Sequence, residues 1–107
     1  MSEFDVMSTA ASGMEAQRMA LEVAARNVAA AQVDGRFARL VPRFAVESEA
    51  GATQVRFVGT RALPGSHVEA ITEMVGVLDA QRAYEANASV FELVKGLAER
   101  TIEAGRT

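Results

Sequence analysis

The residues able to do chemistry in this 107-residue chain are few and scattered. There is one histidine, His67, and no cysteine, so no multi-histidine metal site, Cys–His couple, disulfide or thiolate ligand can be built. His67 lies in the first turn of a helical stretch, where a solvated side chain is the expected state. Glu69, Glu73 and Asp79 are spread around the same stretch with no second acidic cluster opposite. General acid–base work needs paired groups, so these three read as solvated helix charges. The glycines form neither a GxGxxG nor a GxxxxGK pattern, which leaves no phosphate cradle. The chain therefore reads as a non-enzyme with no cofactor, no metal and no small-molecule substrate.

The most specific local feature is Arg82-Ala83-Tyr84-Glu85-Ala86-Asn87. Within a helix Arg82 and Glu85 are spaced to pair, and Gln81 and Glu85 to hydrogen-bond. Asn87 is a poor helix former beside an apolar stripe, where an unpaired polar group is costly. An interhelical polar contact that fixes register is the better reading, against an exposed helix face as the bland one.

The elements that carry these residues follow from periodicity. Phe4, Met7, Ala11, Met14, Arg18, Leu21, Ala25 and Val28 recur at alternating spacings of three and four, predicting a helix over 4–32 with a heptad-like seam broken at Arg18. Ser2 with Asp5 three residues on can start it, and Asp34-Gly35 can stop it. Gly13 inside that helix is either tolerated, at about 1 kcal/mol relative to Ala, or marks close approach of a neighbouring backbone.

Over 36–63 the pattern changes. Leu40, Pro42, Phe44 and Val46 fall on one face of a strand, Gln54–Val58 form a second, and the polar residues 48–53 connect them, so a β-hairpin is expected. Pro42 cannot donate to a ladder, which places its strand at an edge or breaks it there. A lone hairpin is marginal in water, so it must lean on something else. Pro64-Gly65 then breaks the chain, and Ser66-His67-Val68-Glu69 is a capping-box sequence that opens a helix over 67–104, with Gly105 as its cap. Met74, Val77, Tyr84, Ala88, Phe91, Ala98 and Ile102 trace its apolar stripe, interrupted by Gln81 and Lys95. Ile71, Val75, Leu78, Val94 and Leu97 widen that face.

Helices of these lengths span roughly 44 Å and roughly 57 Å. A compact globule of this size is only about 35 Å across, so an elongated rod is expected. The fold class is mainly α: two long terminal helices in an elongated antiparallel coiled-coil-like hairpin, with a short β-hairpin insert. One structural domain divides into 1–34, 35–65 and 66–107. Much of the apolar content is Ala and only 6% of residues are aromatic, so the core is thin and neighbouring subunits are expected to cover the remaining apolar faces. The monomer is expected to be marginally ordered and to become fully helical on assembly.

A net charge of −3 with interspersed signs gives no case for nucleic acid. No apolar run approaches the roughly 18 residues that span a bilayer, so direct membrane insertion is not expected. The first residues lack the basic and apolar regions of a secretory signal.

Ala11-Ser12-Gly13-Met14-Glu15-Ala16-Gln17-Arg18, with Leu21 and Asn27-Val28-Ala29, resembles the N-terminal motif of bacterial flagellar rod and hook proteins. Val68 to Gly105, with Thr72-Glu73-Met74-Val75 and the Arg82–Asn87 block, looks like the C-terminal helix of the same family, nearest to proximal rod proteins of the C type. The resemblance implies a subunit of the periplasmic basal-body rod, exported through the flagellar type III apparatus without a cleaved signal. Its partners would be other rod and basal-body proteins and further copies, in a helical tube that carries torque. On this view Met14, Gln17, Arg18, Leu21, Asn27, Val28, Arg82, Tyr84, Glu85, Asn87, Phe91 and Ile102 are candidate subunit-interface residues. The chain departs from the family in Ala30-Ala31-Gln32-Val33, in a short middle region, and in Gly65-Ser66 where an Asn-Pro pair is usual. A soluble helical-hairpin adaptor or regulatory binding module without a flagellar role is the alternative.

Overall fold

The computed structural model describes residues 2–33, 38–49, 51–63 and 69–105. Four elements follow in order: α1 (Glu3–Val33), β1 (Leu40–Glu49), β2 (Ala52–Ala62) and α2 (Ala70–Gly105). The two long helices pack against each other and the hairpin packs on α1, giving a body of 64 × 24 × 14 Å. The mainly α fold with a β-hairpin insert matches the expectation, and so does the elongation.

Ser2 and Asp5 start α1 as a reciprocal cap. The Asp5 N–H donates to Ser2 Oγ at 3.1 Å, and the Ser2 N–H donates to Asp5 Oδ2 at 2.9 Å. The expected stop at Asp34-Gly35, the break at Pro64-Gly65, the cap at Ser66 and the position of His67 lie outside the described residues. At the start of α2 the Glu73 N–H donates to the Glu69 carbonyl, and the helix runs through Gly105.

The antiparallel strands pair from Leu40↔Ala62 to Glu49↔Ala52. This corrects the expected connection: Ser48↔Thr53 and Glu49↔Ala52 belong to the ladder, leaving only residues 50–51 between the strands. Gly51 has φ +86°, the left-handed backbone that glycine adopts without a Cβ penalty and that a tight turn requires. The second strand also continues past Val58, because a bulge absorbs one extra residue there. Arg43 pairs with Gly59 while Phe44 pairs with Phe57. Gly59, at φ +135°, permits it. Phe44 and Phe57 meet edge to face, ring centroids 6.2 Å apart.

The hairpin leans on α1. Ser12 Oγ donates to its own helix at the Thr9 carbonyl (2.8 Å) and accepts the Val55 N–H of β2 (3.1 Å). One turn earlier, Ser8 Oγ accepts from Gln54 Nε2 at 2.7 Å. Two hydroxyls at i and i+4 thus face β2 along one side of α1.

The buried face agrees only in part with the heptad reading: Ala98 of the expected α2 stripe is buried, and the other buried positions lie one or two residues from the expected ones. Ala10, Ala16, Val23, Ala24 and Asn27 are buried on α1, as are Glu73, Ala80 and Ala98 on α2. By contrast Phe4, Arg18 and Ala25 of the expected seam are exposed, and Met7, Ala11, Met14, Leu21 and Val28 are half-buried at its margin. On α2, Met74, Tyr84 and Ile102 are exposed, while Val77, Ala88 and Phe91 are half-buried. The physical reason is size. Alanine lets two helix axes approach closely, and the larger apolar side chains then ride on the flanks. Arg18, which broke the expected seam, is not in the seam at all.

Candidate assembly surfaces

Three places on this frame gather the polar and apolar groups that could specify contacts. The first is the seam itself at Gly13 and Asn87. A Cβ built on Gly13 would stand 2.7 Å from Asn87 Nδ2 and 3.0 Å from its Cγ. Asn87 therefore packs its amide against bare backbone. The expected interhelical contact is present as close packing, but the amide makes no hydrogen bond to another described residue. The expected Arg82–Glu85 pair and Gln81–Glu85 hydrogen bond do not form among the described residues either. All three of these residues are exposed.

The second place is the junction where α1, β1 and α2 meet. Asn27, 2% exposed, binds the backbone of Leu40 at two points. Its Nδ2 donates to the Leu40 carbonyl at 2.8 Å, and its Oδ1 accepts the Leu40 N–H at 3.0 Å. The side-chain amide reproduces what a neighbouring strand would offer the first residue of β1. Close by, Arg39 Nε donates to Glu73 Oε1 at 2.5 Å. Glu73 is only 1% exposed, which corrects its reading as a solvated charge. The sequence spacing could not reveal this, because Arg39 arrives from 34 residues away. A buried carboxylate is tolerable only when it is paired, and Arg39 pairs it.

Gln17 and Asn27, two of the candidate interface residues, line a groove of about 430 Å³ with Arg39, Leu40, Glu73 and Ala80 between the helices and the base of the hairpin.

The third place is on the opposite side of the helix pair. Arg18, Leu21, Gln81, Tyr84 and Glu85 line an open groove between α1 and α2. Four of the sequence-derived candidates thus converge in one depression. Arg18 is held there by its own helix. Its guanidinium makes a bidentate contact to Glu15 (3.0 and 2.6 Å) and reaches Glu22 at 2.7 Å. The hydrogen bond from Arg18 holds the Glu15 carboxyl below its ordinary range, and Glu15 raises the Arg18 guanidinium in turn. These are solvated pairs that orient a side chain more than they stabilise the fold.

The remaining candidates are dispersed. Met14 and Val28 are half-buried flanks of α1, Arg82 is exposed on α2, Phe91 is half-buried, and Ile102 is exposed near the end of the helix.

A further feature was hidden inside the wide apolar face read from the sequence. The stripe is two faces. Ile71, Met74, Val75, Leu78, Leu93 and Leu97 are all at least 44% exposed on α2. Their i, i+3, i+4, i+7 spacing from Ile71 to Leu78 was the signal that they form a separate ridge. No helix of the described residues is long and apolar enough to cross a membrane.

Two comparisons bear on these surfaces. A family model described as the C-terminal part of the flagellar basal body rod FlgEFG proteins matches residues 60–104, the end of β2 and nearly all of α2. The flagellar basal-body rod protein FlgC of Aquifex aeolicus (strain VF5) is 35% identical over 129 aligned positions, covering 94% of this chain and 96% of the relative. Because 129 aligned positions exceed 107 residues, that relative carries residues with no counterpart here.

Proposed function

Since this chain belongs to the flagellar basal-body rod protein family, we propose that it is a structural subunit of the proximal rod, assembling helically with its own copies and other rod proteins to transmit torque from motor to hook. The two terminal segments, 1–34 and 66–107, carry the rod-forming helices α1 and α2, and 35–65 is the insert between them. The reading makes the chain a non-enzyme located in the periplasmic rod and exported without a cleaved signal.

The observation that supports it best is the pairing of an alanine seam with exposed large side chains. The apolar residues with most to gain from burial lie outside the monomer's core: Ile71 is 77% exposed and Leu93 67%. Each would contribute about 1.5–3 kcal/mol once fully covered. An open-ended assembly of heterologous contacts covers such faces on every subunit. Packed helices then carry torque because close-packed interfaces resist deformation.

In this reading the groove of Arg18, Leu21, Tyr84 and Glu85 receives a side chain of a neighbouring subunit. Met14, Gln17, Asn27, Val28, Arg82, Asn87, Phe91 and Ile102 set the shape of the contacting surfaces. Deletion of the gene in the source cell should abolish swimming. Tyr84→Ala and Phe91→Ala should do the same with the chain still present at its normal level. Normal swimming by both variants would overturn the torque-bearing assignment.

A further inference from the structure

Charge is unevenly shared between the hairpin and α2. On the hairpin Arg56 is ion-paired to Glu47 across the strands, whereas Arg43 and Arg61 are exposed and no described carboxylate pairs with either. Arg43 stands opposite Gly59 and Arg61 opposite Val41, so the two arginines are diagonal neighbours on one face, about 7 Å apart. They repel each other, and among the described residues nothing offsets it.

On α2 the reverse holds. Glu85, Glu92 and Glu99 recur every seven residues, and at 3.6 residues per turn they form one stripe with Glu103. All four are exposed and none is ion-paired to another described residue, although Lys95 and Arg100 lie nearby in sequence. Glu99 and Glu103 are like charges one turn apart at the negative end of the helix, whose last turn holds no basic residue. Gly96, between Glu92 and Glu99, leaves the stripe bare, since a Cβ built there meets nothing within 4 Å.

We propose that, in the rod, Arg43 and Arg61 on the hairpin of one subunit dock against the glutamate stripe on α2 of the next copy, around Gly96. The proposal rests on the rod reading and names one of its contacts. Within a single chain the contact is out of reach. The strands pack on α1 and not on α2. Both β1 and α2 run from the junction of Asn27, Leu40 and Glu73 toward the start of α1. Arg43 lies three strand residues beyond Leu40, and Glu99 twenty-six helix residues beyond Glu73. The two therefore stand about 30 Å apart along the axis. A contact between such distant groups is heterologous: each subunit offers its hairpin to one neighbour and its stripe to another, and successive copies are displaced along the long axis.

The occupant is α2 and not α1. Glu15 and Glu22 hold Arg18, and Asp5 caps its helix with Ser2, so Glu3 alone of the α1 carboxylates is uncommitted.

Charge exchange in the source cell tests this. Arg43→Glu/Arg61→Glu should abolish swimming with the chain at its normal level, and so should Glu92→Arg/Glu99→Arg. Combining all four should restore swimming, which a folding defect in either double variant would not allow. Because the chain has no cysteine, Val58→Cys/Gly96→Cys puts one thiol near Arg43 and one within the stripe, with every charge intact. A short bis-maleimide should then link copies in isolated basal bodies into dimers and longer multimers, and should link neither single variant. Basal bodies that hold the chain but give no multimers would overturn the docking and leave the rod assignment standing. Swimming by Arg43→Glu/Arg61→Glu, or none by the four-residue exchange, would overturn it as well. Absence of the chain from intact basal bodies would overturn both.

Discussion

Asn87 of α2 lies so close to Gly13 of α1 that a Cβ at position 13 would fall 2.7 Å from its Nδ2, inside any normal contact distance. One residue without a side chain and one short amide therefore set how near the two helices approach at mid-length. The contact joins the two sequence motifs that resemble the rod family, and it gives the first prediction.

Gly13→Ala gains about 1 kcal/mol of helix propensity and forces the Asn87 amide aside. The single variant should be destabilised, whereas Gly13→Ala/Asn87→Ala should recover or exceed the original stability. Urea unfolding of the four-member cycle should yield a coupling energy of about 1 kcal/mol or more. Additivity would mean that the contact does not set the spacing.

Asn27→Leu keeps bulk at the junction and strips the Leu40 N–H and carbonyl of their partner. The cost should be about 2 kcal/mol. Amide exchange should place the loss at Leu40 and the start of β1, with the middle of α1 unaffected.

Arg39→Met leaves the Glu73 carboxylate buried without its ion-pair partner and should cost about 3 kcal/mol. Arg39→Met/Glu73→Met should be clearly more stable than Arg39→Met alone, as read from thermal unfolding. A double variant as unstable as the single one would show that the pair acts by shape and not by charge.

The Asp5 carboxyl is held below its ordinary range, chiefly by the Ser2 backbone N–H and then by the Ser2 hydroxyl. A depressed folded value contributes stability above the unfolded value of about 4 and loses it as pH falls through the folded one. Glu15, lowered by Arg18, acts in the same direction. The start of α1 should therefore fray below about pH 4, with NMR amide shifts of residues 3–6 moving first. Asp5→Asn should remove that part of the acid response.

The sequence made the elements legible because each has a local cause. Ser2 and Asp5 announce the start of α1, Gly51 the turn of the hairpin, and the 3–4 spacing of apolar residues both helices. Which face is buried was harder to read. Hydropathy favours Met, Leu and Phe as core, yet the buried apolar residues are Val23 and five alanines, Ala10, Ala16, Ala24, Ala80 and Ala98. The rule that apolar residues go inside cannot tell a small-residue seam from the larger side chains beside it. Of the candidate site residues, Arg18, Leu21, Tyr84 and Glu85 converge because they share one margin of the helix pair, a relation that periodicity encodes. The pairing of Arg39 with Glu73 and the grip of Asn27 on Leu40 were not legible, since each depends on how the chain returns from the insert.

The central claim is that this chain is a rod subunit whose two paired helices form part of the rod wall. Electron cryo-microscopy of basal bodies isolated from the source cell tests it most directly. The account predicts rod density into which α1 and α2 fit as an antiparallel pair with Gly13 against Asn87, a hairpin alongside α1, and neighbouring subunits in the groove of Leu21 and Tyr84. Intact rods from these cells in which the chain is absent, from both the density and the protein content, would contradict it.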